Sequence, residues 1–218
     1  MSNGVAALAG VAEVSRETEA RLEIFVDLLR RWQGAQNLVA QATLDDVWRR
    51  HIADSAQLAP MFPETVTWLD LGSGAGFPGL VVAIMATEAG AGPVHLVESN
   101  RRKCAFLRRV AHETDAPAIV HEGRIEHIAG TIGAVDRVAA RALAPLHRLL
   151  ELAYPAIRQG AATAFHTGRD FALEIEQATK YWRFDLIQHS SRVGAGGVIL
   201  DITELRPKPV MVNKRLTP

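Results

Sequence analysis

Asp70-Leu71-Gly72-Ser73-Gly74-Ala75-Gly76-Phe77-Pro78-Gly79 decides the architecture of this chain. Just before it, Val66 to Leu71 is apolar and β-branched and reads as a strand. Just after it, Leu80 to Glu88 reads as a helix. Four glycines fall in the eight residues 72–79 between the two. Without a Cβ, glycine lets the backbone approach a ligand closely, and the free amides of the following helix suit a polar or charged group.

The same alternation continues outward. Val94 to Glu98 reads as a second strand, with a helix over 101–113. Further strands are expected at 118–121, 135–140 and 161–166, and further helices at 145–158 and 171–181. Two last strands, 184–189 and 197–205, have no helix between them and predict a hairpin. Alternating strands and helices imply a mostly parallel sheet covered on both faces, with one closing strand antiparallel. Upstream, residues 1–14 are expected to be flexible. Ser15 caps a helix carrying Glu17 and Glu19 in its first turn and the apolar stripe Leu22, Phe25, Leu29 and Trp32, ending at Gly34. A second helix is expected from Thr43 to Pro60. The expected organisation is a helical extension over 15–63 that packs on an α/β domain over 64–205, then a basic tail over 206–218.

Composition bounds the function. The chain has 218 residues, with 24 Lys+Arg against 24 Asp+Glu, which excludes a coat of one charge. The single cysteine, Cys104, excludes a disulfide framework or a cysteine-rich metal centre. The histidines have no metal-ligand spacing. The longest apolar run, Gly79 to Ala86, falls far short of the ~20 residues that span a bilayer, and residues 1–14 lack a positive leader segment. A soluble, cytoplasmic monomer without metal or membrane partner is expected. Twenty of the basic residues are Arg and four are Lys, which fits codon bias as well as phosphate recognition.

Two ligand classes fit the glycine run. Gly74, Gly76 and Gly79 spell the dinucleotide fingerprint, with Glu98 placed for a ribose, so a small NAD(P)-dependent oxidoreductase is one reading. Against it, the acidic Asp70 ends the strand, the run starts earlier at Gly72, and no separate substrate domain fits. An acidic strand end beside Gly72-x-Gly74-x-Gly76, with Glu98 ending the next strand, resembles the S-adenosylmethionine (SAM) methyltransferase fold. There Asp70 would face the positive methionine end through the loop, and Glu98 would accept from the ribose hydroxyls. The chain lacks the Asn/Asp-Pro-Pro-aromatic turn of exocyclic-amine enzymes, having Arg141-Ala142-Leu143-Ala144-Pro145 there. Cys104 follows Lys103 on a helix and reads as a packing residue, not a nucleophile. A substrate atom that is already nucleophilic needs neither device.

Three strings add to this: Asn37-Leu38-Val39-Ala40, Arg50-His51-Ile52-Ala53-Asp54-Ser55 and Gly74-Ala75-Gly76-Phe77-Pro78-Gly79. With Ala140-Arg141-Ala142 they closely resemble the bacterial 16S ribosomal RNA guanine-N7 methyltransferase family, also called glucose-inhibited division protein B. The resemblance covers roughly residues 20–205. It implies a doubly wound, seven-strand Rossmann-like sheet with an N-terminal helical extension. It implies SAM as methyl donor, S-adenosylhomocysteine as product, and N7 of one guanosine in the decoding region of 16S rRNA, free or in the small subunit, as acceptor. Its cofactor contacts fall on Gly72, Phe77, Glu98, Ile125, Glu126 and Arg141, to which the glycine loop adds Asp70, Ser73, Gly74 and Gly76. Arg141 would position phosphate or the methionine carboxylate, and no general base is expected. Many relatives carry a hydroxyl residue where this chain has Ala140. A non-catalytic, SAM-binding RNA module is a further alternative.

Two clusters lie outside that loop. His51, Asp54 and Ser55 share one helical turn but lack the strained nucleophile and oxyanion hole of a hydrolase, so they are expected to tie the extension to the core. Arg101, Arg102, Lys103, Arg108 and Arg109 recur at a spacing that draws a basic ridge, either an RNA contact or a solvated face. Arg206, Lys208, Lys214 and Arg215 add positive charge to the tail.

Overall fold

The computed structural model describes residues 3–194 and 196–209. Seven strands form one sheet in the order β3-β2-β1-β4-β5-β7-β6. They are β1 Trp68–Leu71, β2 Val94–Glu98, β3 Ala118–Glu122, β4 Arg137–Arg141, β5 Ala162–Thr167, β6 Trp182–Ser190 and β7 Val198–Pro207. β1 pairs in parallel with β2 and β4, β2 with β3, and β4 with β5. β7 alone runs antiparallel, inserted between β5 and β6, so the predicted closing hairpin is present. β7 reaches two residues into the stretch expected to be a tail. Lys214 and Arg215 lie outside the described residues.

The helices are α1 Asn3–Leu8, α2 Arg16–Gln36, α3 Asp54–Ala56, α4 Leu58–Met61, α5 Gly79–Ala89, α6 Arg101–Glu113, α7 Ile125–Ile128, α8 Leu146–Ile157 and α9 Phe171–Ala178. Side chains of successive strand residues enter opposite layers. Trp68 of β1 joins the core under α2, α5 and α6, while Leu69 and Leu71 join the core under α8. A strand buried on both faces has no polar side, which is why β1 reads as continuous apolar sequence around Asp70.

The extension packs as expected, on the α5–α6 layer. Ser15 Oγ accepts from the Thr18 amide at 3.0 Å and caps α2. Leu22, Phe25 and Leu29 are buried, and the Phe25 ring stacks on Phe77 with centroids 5.1 Å apart. Trp32 tilts against Phe106 of α6. Three local expectations are corrected. α2 passes through Gly34 and stops at Asn37, which takes the left-handed conformation at φ 46° and bonds back to the Gln33 carbonyl. The second helix begins with a short 3-10 turn at Gln41–Thr43, becomes a π-helical turn over Trp48–Ala53, and only then passes into α3 and α4. Residues 1–14, expected to be flexible, contain α1, whose Leu8 is buried, and Val11 is buried after it. Their apolar contacts are made with segments distant in sequence, which no local pattern records.

Candidate active site

The C-terminal edge of the parallel strands carries a crevice of about 440 Å³, the location where open α/β sheets bind ligands. Its floor is the glycine loop after β1. Gly74 sits at φ +54°, and a Cβ built there would point into open space, its nearest neighbour being the Gly72 carbonyl at 3.7 Å. Packing does not exclude a side chain there, and Gly74 lines the open crevice. Gly79 is the opposite case: a Cβ there would lie 2.5 Å from Asp70 Oδ2.

That second contact explains Asp70. Its Oδ2 accepts from the Gly79 amide at 3.2 Å, and it is 1% exposed, beneath the loop. Burial pushes its pKa up to about 7. Sequence reasoning has Asp70 reach the ligand through the loop; neither it nor Gly76 lines the crevice. Asp70 instead anchors the start of α5. Its Oδ1 has no partner among the described residues.

Glu98, ending β2, lines the crevice and lashes the loop from the neighbouring strand. Its Oε2 accepts from the Gly74 amide at 3.0 Å, and its Oε1 from the Asn100 amide at 2.7 Å. Gly72, Ser73 and Phe77 line the same space. Ile125 and Glu126, at the first turn of α7, form the opposite wall; Glu126 pairs with Arg148 of α8 at 2.7 Å. Cys104 is buried, its thiol against the Glu98 carbonyl at 3.2 Å, as a packing residue would be.

Arg141, ending β4, lines the crevice and clasps the extension. Its Nη1 donates to the Arg50 carbonyl at 3.1 Å and to Asp54 Oδ2 at 3.2 Å. Its Nη2 donates to His51 Nδ1 at 2.8 Å. Arginine has no acceptor, so His51 Nδ1 must hold a lone pair and the ring proton sits on Nε2. That Nε2 donates to Thr43 Oγ1 at 2.8 Å, and Thr43 donates onward to the Ala40 carbonyl at 2.7 Å. The ring stacks on Phe77 with centroids 4.9 Å apart. Burial, with help from Arg141 and Arg50, pushes the His51 pKa down to about 4. Ser55 is buried and donates to the His51 carbonyl at 2.7 Å. The cluster is therefore a tie between extension, glycine loop and β4, with no nucleophile free to attack.

Local sequence did not reveal the remaining wall. Leu38 and Val39 line the crevice as a strap after α2. The Gln33 carboxamide fixes that strap, donating to the Val39 carbonyl at 2.7 Å and accepting from its amide at 3.0 Å. A glutamine buried among the apolar side chains of α2 was the available signal. Leu143 and Ala144, after β4, also line the crevice.

The basic ridge is not uniform. Arg108 pairs with Glu122 at 3.2 Å and Arg109 with Glu113, so the second half is neutralised in place. Lys103 reaches the crevice, and with Arg102 it lines a hollow beside residues 34–37. Arg206 pairs with Glu204 at 2.9 Å. Among the described residues no group of three or more His, Cys, Asp or Glu could hold a metal ion, and no helix is long and apolar enough to cross a membrane.

Residues 18–202 match the family model described as rRNA small subunit methyltransferase G. The chain is 49% identical over 195 residues to the ribosomal RNA small subunit methyltransferase G of Rhizobium leguminosarum bv. trifolii, covering 88% of this chain and 95% of that one. It is 48% identical to the protein of the same name from Sinorhizobium medicae, covering 88% and 92%. Among solved structures it resembles a Klebsiella pneumoniae chain described as an O-methyltransferase, with TM-score 0.58, 12% identity and coverage of 92% and 95%. That likeness shows the fold, a Rossmann-like α/β sheet.

Proposed function

The chain belongs to the rRNA small subunit methyltransferase G family, and from that membership we propose that it transfers a methyl group from SAM to N7 of a guanosine in the decoding region of 16S rRNA. The nicotinamide reading has no support from the relatives, which are methyltransferases. The observation that carries the proposal is the crevice in which Glu98 and the glycine loop meet Arg141.

The residues present suit SAM. At Gly74 only a missing side chain leaves room for a ligand against the backbone. Glu98 offers carboxylate lone pairs to ribose hydroxyls beyond the two amides it already holds. Val97, Ile125 and Leu152 give an apolar wall for an adenine. Arg141 and Lys103 supply positive charge for the methionine carboxylate or an RNA phosphate. When bound, SAM supplies an electrophilic methyl group on a sulfonium.

The protein's task is then placement. Guanine N7 holds a free lone pair in the neutral base, so no proton has to leave before attack, and in-line positioning supplies much of the rate. The site agrees with that requirement. Both His51 nitrogens are engaged, and Asp54 is occupied by Arg141 and Gln57, so neither is set up to take a proton. Arg101, Arg102 and Lys103, at the start of α6 and without an ion pair among the described residues, form the RNA-facing half of the ridge. The test is transfer from labelled SAM into 16S rRNA that lacks the native modification. N7-methylguanosine, found by strand cleavage after borohydride and aniline, is the expected product; a methyl on N1, N2 or C5 would overturn the proposal.

A further inference from the structure

A second cavity, of about 280 Å³, lies at the C-terminal ends of β4 and β5. Arg141, Ala142 and Ala144 line both it and the crevice, so the two spaces meet at the turn after β4. Its volume is close to the lower end for small-molecule sites, about 300 Å³, and suits one planar base better than a larger ligand.

Among the side chains that line this cavity but not the crevice, Glu174 and His166 each carry an acceptor atom without a donor, whereas the Asp54 carboxylate is engaged by Arg141 and Gln57. Glu174, in the first turn of α9, is held through Oε2 by the Leu146 amide at 3.0 Å, and its Oε1 has no partner among the described residues. His166, on β5, donates from Nε2 to the Asp54 carbonyl at 2.9 Å. Its proton therefore sits on Nε2 and leaves a lone pair on Nδ1. The His166 side chain is 8% exposed, and Nδ1 likewise has no partner among the described residues. A buried acceptor without a donor costs stability unless a ligand supplies one.

We infer that this second cavity receives the target guanine, with Glu174 accepting from the N2 amine and His166 from the N1–H of its Watson–Crick edge. The inference rests on the proposed transfer to guanine. Of the four RNA bases only guanine places a ring N–H beside an exocyclic amine, so a wall of two acceptors selects it. Adenine would set its N1 lone pair against the same acceptors and be repelled. N7 lies on the other side of the purine. A base held by its Watson–Crick edge at Glu174 and His166 turns N7 toward the shared Arg141–Ala142 turn, and so toward the crevice. Enzymes that modify bases read them in this way once the nucleotide has left its stack. Glu174 and His166 are thus specificity-determining residues for the acceptor.

The experiment uses the full-length protein and unmodified 16S rRNA ligated to carry either guanosine or inosine at the mapped position. Inosine lacks only the N2 amine. Wild-type protein should transfer to inosine about tenfold more slowly or worse in kcat/KM, the worth of a good polar contact to a base edge. Glu174→Ala should slow transfer to guanosine by a similar factor and shrink the guanosine–inosine difference below twofold, with SAM affinity within twofold of wild type. Glu174→Gln keeps an oxygen for the Leu146 amide but sets an amine against the base, so it should also lose transfer while binding SAM normally. Equal rates on guanosine and inosine with wild type would overturn the inference. So would Glu174→Gln acting at the wild-type rate, or a rate loss matched by loss of SAM affinity. Should Glu174→Ala not fold, the wild-type comparison still decides. Wild-type protein placing no methyl on guanine N7 would defeat the proposed function itself, a separate result.

Discussion

Arg141 and His51, 90 residues apart in the chain, meet at 2.8 Å, and the histidine accepts. This contact fixes the imidazole tautomer and presses the ring onto Phe77. The glycine loop is thus held from one side by Glu98 and from the other by the extension.

Neutral His51 makes the clasp pH-dependent. Its pKa is near 4 in the fold against 6.5 in the unfolded chain. Between those values the unfolded chain binds the extra proton, so the contribution is complete above about pH 6.5 and is lost as pH falls toward 4. His51 should add no pH dependence to SAM affinity or single-turnover rate from about pH 6.5 to 8.5, and any change within that range belongs to Asp70, near 7 beneath the loop. The difference in stability between wild type and His51→Gln, followed by denaturation, should narrow only below that range. A bell-shaped rate profile abolished by His51→Gln would contradict a neutral, non-titrating role.

Arg141→Lys keeps the charge but loses the planar fork that reaches Arg50, Asp54 and His51 together. A single ammonium cannot reach all three acceptors at once, so at least one of the Arg50 carbonyl and His51 Nδ1 loses its donor. Destabilisation of about 2 kcal/mol or more is expected on denaturant unfolding, with weaker SAM binding. Wild-type stability and affinity in Arg141→Lys would show that charge alone suffices.

Glu98→Ala should weaken SAM by about 1.5–3 kcal/mol, since it removes both the cofactor's acceptor and the lashing of the Gly74 amide. Glu98→Gln, which retains one carbonyl oxygen, should fall between the two. Calorimetry showing a change within about 0.5 kcal/mol for Glu98→Ala would remove it from the site.

The two halves of the α6 ridge should separate in salt titrations of RNA binding. Arg101→Glu with Lys103→Glu should lower the magnitude of the salt slope by about 0.7 for each phosphate that these side chains neutralise. Arg108→Glu should leave the slope unchanged, because Glu122 already neutralises that arginine. Equal effects from both changes would mean the ion pair opens on the RNA.

Phe25→Ala should cost about 3–5 kcal/mol, the usual range for a buried aromatic. Because Phe25 stacks on Phe77, SAM affinity should fall as well. A protein that loses stability but binds SAM as wild type would show that the loop does not depend on the extension.

Sequence alone determined the parallel sheet with its closing hairpin, the glycine loop and the buried face of α2. Each is written in contiguous residues: a period of two or 3.6, a cap, or a glycine where a side chain has no room. Tertiary structure decided which of those residues face the crevice. Asp70 and Glu98 both lie at or next to the C-terminal end of a strand, yet burial takes one beneath the loop while the other lines the crevice. Arg102 and Arg109 occupy the same helical spacing, yet only Arg109 has an acidic neighbour one turn away. Helix α2 ran past Gly34 because glycine is tolerated inside a helix, and Asn37 could adopt the left-handed cap. The Gln33 strap, the Arg141 clasp and the acceptors of the second cavity join segments far apart in the chain. Such contacts depend on the distances between folded elements, and those exist only once the sheet has assembled.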